Sequence, residues 1–292
     1  MARLSFVNPW SWYSIAASAD IARGQVLPTA LNGTALVAWR SKGDTISVWS
    51  DRCPHRGMRL CLGGTRDDVL ICPYHGWVFG SDGACTHIPA HPQLTPSRAA
   101  RARIYPCAER NGYIWACIGE PVTPEPAYIM SAGNALAHVR TIHVAAEIER
   151  VAAALMARPL VGSLDRAPGW VEEIEWASID GTVEVQHRDS NGRFTARLEF
   201  PGLLSCSYDN GGAPIRYTAL IQPTFPDQTA VHLALDAPAP VELQRLVNSH
   251  LVQLRRDVQG QEHAALDRIA DRCADMMPDQ ARGLSAVAEE VS

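Results

Sequence analysis

Cys53-Pro54-His55-Arg56-Gly57 and Cys72-Pro73-Tyr74-His75-Gly76-Trp77 are the two segments on which the reading of this chain turns. They present two thiols and two imidazoles as C-x-H and C-x-x-H, with the sixteen residues 56–71 between the pairs. Two Cys and two His can close a tetrahedral zinc site. Zinc ribbons and fingers, however, usually repeat C-x-x-C or H-x(3–5)-H. Here each short loop mixes one thiolate with one imidazole. Two such loops facing each other can hold two irons, the thiolates on one and the imidazoles on the other. A [2Fe–2S] cluster suits that donor set better, with zinc as the alternative. Cys53, His55, Cys72 and His75 are therefore the expected cofactor and metal ligands.

Composition narrows the field. At 292 residues and 47% hydrophobic content, the chain is long enough for one or two domains with packed cores. A net charge of −5 and the lack of any Lys/Arg run argue against a nucleic-acid partner. Eight Cys over this length do not make a disulfide framework. Cys61, Cys85, Cys107, Cys117, Cys206 and Cys273 show no paired spacing and read as buried free thiols. Asn8-Pro9-Trp10-Ser11-Trp12 interrupts any hydrophobic leader, and no run approaches the ~18 apolar residues of a membrane span. The expectation is a reduced, cytoplasmic location with no membrane partner.

Residues 1–120 read as short strands. The segments 35–39, 45–49 and 69–71 are β-rich and are punctuated by Asn32-Gly33, Lys42-Gly43-Asp44 and Gly63-Gly64. Each ligand loop carries a glycine, Gly57 or Gly76, which lets backbone N–H groups approach a cluster, and a stiffening Pro54 or Pro73. Trp77 and Phe79 are assigned to the core of this β unit. The Pro-rich segment 119–126 is the clearest linker, dividing a domain at 1–120 from a second at 121–292. Beyond it an Ala-rich helix is expected over 144–157, closed by Arg158-Pro159. Strand alternation follows over 171–187, 194–200, 215–222 and 230–235, with turns at Asp180-Gly181 and Asn210-Gly211-Gly212. A long helix over 241–273 and a short helical tail complete the pattern. An antiparallel sheet against long helices, after an all-β domain, gives an α+β fold class.

The motifs C-P-H-R-G and C-P-Y-H-G-W-V-F, followed by Asp82-Gly83 and Ile88-Pro89, resemble the Rieske domain of the oxygenase component (alpha subunit) of Rieske non-haem iron oxygenases. Residues 10–15 and 111–115 carry the same likeness. The respiratory type normally adds a disulfide-forming Cys to each loop, but Pro54 and Tyr74 hold the neighbouring positions here, so the oxygenase branch is the closer likeness. The resemblance implies a Rieske-type [2Fe–2S] cluster in the N-terminal all-β domain and a helix-grip domain of the catalytic type behind it.

In that family the helix after the linker carries Asn-x-x-Asp-x-x-His and a second His about five residues on. The two His, with a later carboxylate, hold a mononuclear Fe(II). Laid on residues 149–161, the pattern puts Arg150 at the Asn, Ala153 at the bridging Asp, Met156 at the first His and Val161 at the second. Ala and Val have no donor atom, and a thioether is a poor ligand for ferrous iron. Arg256-Asp257, with Glu262 five residues on, resembles the family's Asp-x4-Glu, making Asp257 a candidate leftover carboxylate. His87 and His91 are spaced i, i+4 but have Pro89 between them. His138, His143, His187, His232, His250 and His263 read as surface or satisfied core residues. The expectation is a degenerate site with no catalytic residue and no mononuclear iron.

A chain with a cluster but no iron site is expected to serve a multicomponent oxygenase. It would relay electrons to, or structurally complete, a related Rieske oxygenase subunit with an intact triad, in a trimer-based hetero-oligomer. A separate reductase or ferredoxin would supply the electrons, because this chain has no dinucleotide fingerprint. The alternatives are a stand-alone electron carrier, or an active Rieske oxygenase (hydroxylase or demethylase) with a non-standard iron site.

Overall fold

The computed structural model describes residues 8–121, 136–161, 170, 174–179, 182–188, 192–199, 201–260 and 264–275. The chain divides into two compact units, one of them Pro9–Ala127.

That unit is all β. Its strands are β1 (Tyr13–Ala17), β2 (Val26–Leu31), β3 (Thr34–Arg40), β4 (Ile46–Ser50), β5 (Gly64–Arg66), β6 (Val69–Ile71), β7 (Val78–Phe79), β8 (Cys85–His87), β9 (Ile104–Tyr105), β10 (Cys107–Arg110) and β11 (Tyr113–Ala116). They form three sheets, ordered β1-β11-β10, β2-β3-β4-β9 and β5-β6-β7-β8. The β2–β3 hairpin closes through Asn32-Gly33 at φ 49° and 77°, and β10–β11 through Asn111-Gly112 at 53° and 78°. Two successive left-handed residues match the twist of the flanking strands, which is why Asn-Gly stands at both turns.

The period-two alternation of β3 feeds two separate cores. Leu36 and Ala38 join Tyr13, Ile21, Val48 and Ile114 on one side. Val37 and Trp39 join Trp49, Leu60, Leu70 and Phe79 on the other. Trp39 packs edge-on against Trp49 with ring centroids 5.1 Å apart, and Trp49 meets Phe79 at 6.5 Å. Cys53 and Cys72 belong to this second core, so the apolar packing of the small unit also fixes the roots of both ligand loops.

The second unit carries β12 (Leu136–Val144), α1 (Ile148–Ala157), β13 (Glu175–Ile179), β14 (Thr182–Arg188), β15 (Arg193–Glu199), β16 (Leu203–Asp209), β17 (Ile215–Phe225), β18 (Gln228–Asp236), α2 (Val241–Gly260) and α3 (Ala264–Asp275). Among the described residues its seven strands form one antiparallel sheet, β12-β18-β17-β16-β15-β14-β13. Alternate residues, among them Val185, Phe194, Leu204, Tyr217 and Leu233, pack against Val151 and Leu155 of α1 and Leu251 and Leu254 of α2. The α+β class expected from the sequence is the class observed.

Several element boundaries differ from expectation. The helix placed over 144–157 begins only at Ile148, because residues up to Val144 form β12, paired along β18 as far as Val144↔Thr229. A long ladder outweighs the helix propensity of a few alanines. His143 therefore lies on a strand rather than on that helix. Within the helix placed over 241–273 the described residues form α2 up to Gly260 and α3 from Ala264, and residues 261–263 lie outside the described residues. The strand over 171–187 is a pair, β13 and β14, whose Asp180-Gly181 connection lies outside the described residues, as do most of the linker and the helical tail. β16 has no counterpart among the expected strands; Ser205 and Ser207 dilute its pattern, and pairing with β15 and β17 holds it. Among the described residues no helix is long and apolar enough to cross a membrane.

Candidate metal centre

The two Cys/His loops are local copies of one another. The Cys53 N–H donates to the Met58 carbonyl at 2.8 Å and the Gly57 N–H donates back to the Cys53 carbonyl at 2.8 Å. In the second loop the Cys72 N–H donates to the Trp77 carbonyl at 2.9 Å and the Gly76 N–H to the Cys72 carbonyl at 3.1 Å. Both closures require left-handed backbone, at φ 71° for Gly57 and 68° for Gly76.

This scaffold separates the donors by type. The Cys53 and Cys72 side chains are buried, whereas His55 and His75 are exposed, with ring centroids 4.7 Å apart. Burial, with the Cys72 thiol close by, pushes the Cys53 thiol up to about 11, against the pull of the His55 and Arg56 backbone N–H groups on its sulfur. Solvent exclusion, then His75 and Arg56, hold the His55 imidazole below its ordinary value. Thiol thus lies beside thiol and imidazole beside imidazole. Among the described residues no three His, Cys, Asp or Glu side chains gather as one ion would need. Paired like donors suit a binuclear cluster, one iron to each pair, better than a single tetrahedral zinc.

Three neighbours complete the centre. The Trp77 ring stacks on His55 at 4.4 Å with planes 7° apart, and Tyr74 lies on His75 at 3.8 Å. The assignment of Trp77 and Phe79 to the core agrees with the structure: Phe79 is fully buried, and Trp77 is half-buried, packed against the same core while also stacking on His55. Asp51, two residues before Cys53, ties that end of the first loop to the segment that follows it. Its carboxylate accepts from Arg59 Nε at 2.8 Å, from the Cys61 N–H at 2.7 Å and from the Cys61 thiol at 3.0 Å. No spacing rule marks Asp51 or the stacking role of Trp77, because both arise from contacts made only in the fold.

The positions that the resemblance gives to the second metal lie in the other unit. Ala153 and Met156 of α1 and Val161 just beyond it are buried in the apolar core. Asp257 of α2 is ion-paired with Arg158 Nη1 through Oδ2 and accepts from Gln253 Nε2 through Oδ1 at 2.8 Å. Arg150, at the Asn position, pairs with Asp267 of α3. Glu262 and His263 lie outside the described residues. The other imidazoles are dispersed. His232 bridges Thr141 Oγ1 and Gln222 Oε1 at 2.9 and 2.8 Å, and His250 Nδ1 meets the Leu160 carbonyl at 2.9 Å. His187 packs on Phe194, while His87, His91 and His143 are exposed.

Comparison with known proteins agrees with the geometry of the loops. Residues 11–105 match the Rieske [2Fe–2S] domain, so the chain carries a Rieske domain at its N-terminus. Oxidoreductase NdmD of Pseudomonas putida is 37% identical over 131 residues, which is 44% of this chain and 22% of that protein. Chlorophyllide a oxygenase of Chlamydomonas reinhardtii is 37% identical over 114 residues, 39% of this chain and 17% of that protein. The matches thus span about a fifth of the length of these relatives. In fold, the chain resembles dicamba monooxygenase with a TM-score of 0.70 at 18% identity, over 96% of this chain and 98% of that one. NdmA of Pseudomonas putida CBB5, solved with caffeine, gives 0.73 at 17% identity over 97% and 92%. The likeness in fold covers both units, whereas the sequence likeness covers less than half of the chain.

Proposed function

We propose that this chain is the Rieske [2Fe–2S] subunit of a multicomponent oxygenase, relaying electrons to, or structurally completing, a related subunit that holds the mononuclear iron. One contrast carries the reading. Cys53, His55, Cys72 and His75 supply every protein donor that a Rieske cluster needs. The places corresponding to the bridging Asp and the two iron-binding His are filled by Ala153, Met156 and Val161, buried among apolar neighbours.

Cys53 and Cys72 would hold one iron and His55 and His75 the other, and the bound cluster supplies one-electron transfer. The chain's own contribution is placement. Buried thiols anchor the inner side, and the glycine-closed loops fix the spacing of the donors. Trp77 and Tyr74 cover flat faces of the two imidazoles, leaving their edges as the contact for a redox partner. A separate reductase or ferredoxin would deliver the electrons.

Metal analysis with electron paramagnetic resonance tests this. The purified chain should hold about two Fe and a Rieske-type signal, and should co-purify with a related chain when expressed with its genomic neighbours. About three Fe per chain, with oxygenation in the absence of a partner, overturns the proposal. Reversible one-electron chemistry with no partner recovered favours the stand-alone carrier instead.

A further inference from the structure

The likeness in fold extends over the whole second unit, so a mononuclear iron is the group that fold would imply there. The residues present do not suit it, and the reason goes beyond missing imidazoles. Asp257, the one carboxylate matching the family pattern, has both oxygens engaged, Oδ2 by Arg158 Nη1 and Oδ1 by Gln253 Nε2. Arg158 is only 6% exposed, a degree of burial that arginine tolerates only when its charge is paired. It stands at the C-cap of α1, where the helix dipole favours a cation. Its guanidinium also lies over the Trp170 ring at 5.4 Å. One buried position is thus held by an ion pair, a helix end and an aromatic face together.

We propose that Arg158 is the resident cation of this locus: its guanidinium is the counter-charge of Asp257, and it keeps a divalent ion out even when imidazoles are supplied nearby. A divalent ion on Asp257 would face a fixed positive charge across the same carboxylate, and with Arg158 buried and Asp257 only partly exposed, water screens that repulsion incompletely. It would also have to break two hydrogen bonds already made. The inference rests on the reading that this chain has no catalytic iron, and it names the residue that enforces that state.

The test uses the full-length, cluster-loaded chain and Co(II) as probe, followed by the visible bands of the bound ion and by calorimetry. A variant carrying Ala153→Asp, Met156→His and Val161→His should bind Co(II) no better than the unmodified chain. Adding Arg158→Gln to those three should tighten binding at least tenfold, to one ion per chain. Equal affinity with and without Arg158→Gln overturns the inference, whether both variants bind or neither does. If the fourfold variant does not fold, a denaturation cycle on Arg158→Gln and Asp257→Asn decides. The double variant should be less destabilised than the sum of the singles, and strict additivity counts against a paired counter-charge. The iron content of the unmodified chain is a separate readout. About three Fe there refutes the proposed function, whereas the Co(II) comparison refutes only the role of Arg158.

Discussion

Cys72 and His75 lie in a loop whose backbone hydrogen bonds are made by Cys72, Gly76 and Trp77 main-chain atoms, so side-chain changes there need not unravel it. Cys72→Ser or His75→Ala should therefore remove the Rieske-type resonance signal and take iron from about two per chain toward none. Thermal stability of the small unit should fall as well, because metal binding contributes folding free energy. An unchanged signal in either variant would contradict the ligand assignment. Gly76→Ala probes the scaffold instead. Its φ of 68° disfavours any side chain, and a Cβ would come within 3.1 Å of Pro89 Cγ. A loss of about 1–2 kcal/mol, read by denaturation, is expected from the left-handed backbone alone. At this scale the sequence offered the four candidate donors, because C-x-H and C-x-x-H are local spacings, and the structure sets the His55 and His75 rings 4.7 Å apart. It did not show Arg158, which reads as a residue ending a helix until the fold brings Asp257 to it from 99 residues along the chain.

The strands of the small unit depend on β3, which is buried on both faces and so joins two cores. Phe79 contacts Trp49 in the core that also holds Cys53 and Cys72. Phe79→Ala should cost about 3–5 kcal/mol by chemical denaturation. It should also weaken cluster retention, since the roots of both loops share that core. At the end of β3, Arg40 donates to the Ile21 carbonyl at 2.8 Å and to both Glu109 oxygens on β10, at 2.8 and 3.0 Å. The Arg40 hydrogen bonds hold the Glu109 carboxyl below its ordinary value. A depressed carboxylate adds stability above its unfolded value, near 4.3 in model peptides, and loses it as pH falls through the lower folded value. Glu109→Gln should therefore be less stable than the unmodified chain at pH 7, with the gap closing as the solution is acidified below about pH 4. A gap independent of pH would detach Glu109 from Arg40. The strands expected over 35–39, 45–49 and 69–71, which match β3, β4 and β6, were legible because the Asn32-Gly33 turn and the β-rich runs are local signals, whereas β1, β2 and the short β5 and β7–β11 were not placed. The boundaries of β12 and α1 were not, since the ladder with β18 decides them and has no local sequence signature.

At the scale of the whole molecule, the question is what a partner would gain from this chain. An electron relay and a purely structural subunit make the same complex, but they differ in what the loss of one thiol does to it. Cys72 is buried and His75 exposed, so a cluster held by these residues would offer a partner its imidazole side, while Cys72→Ser acts from the inner side. Co-expressed with a related triad-bearing chain, a Cys72→Ser variant whose small unit is still folded should assemble, because the substitution leaves both imidazole side chains and the second unit in place. Substrate oxidation by that complex should fall at least tenfold if electrons pass through this chain. Assembly with full activity would leave the chain a structural subunit only, and loss of assembly would show that the cluster region itself builds the interface. A stoichiometric reduction of the unmodified complex, counted against the iron of both chains, supplies the control. Electrons stored on this chain but never consumed by the partner's reaction would remove the relay from the proposal while leaving its cluster in place.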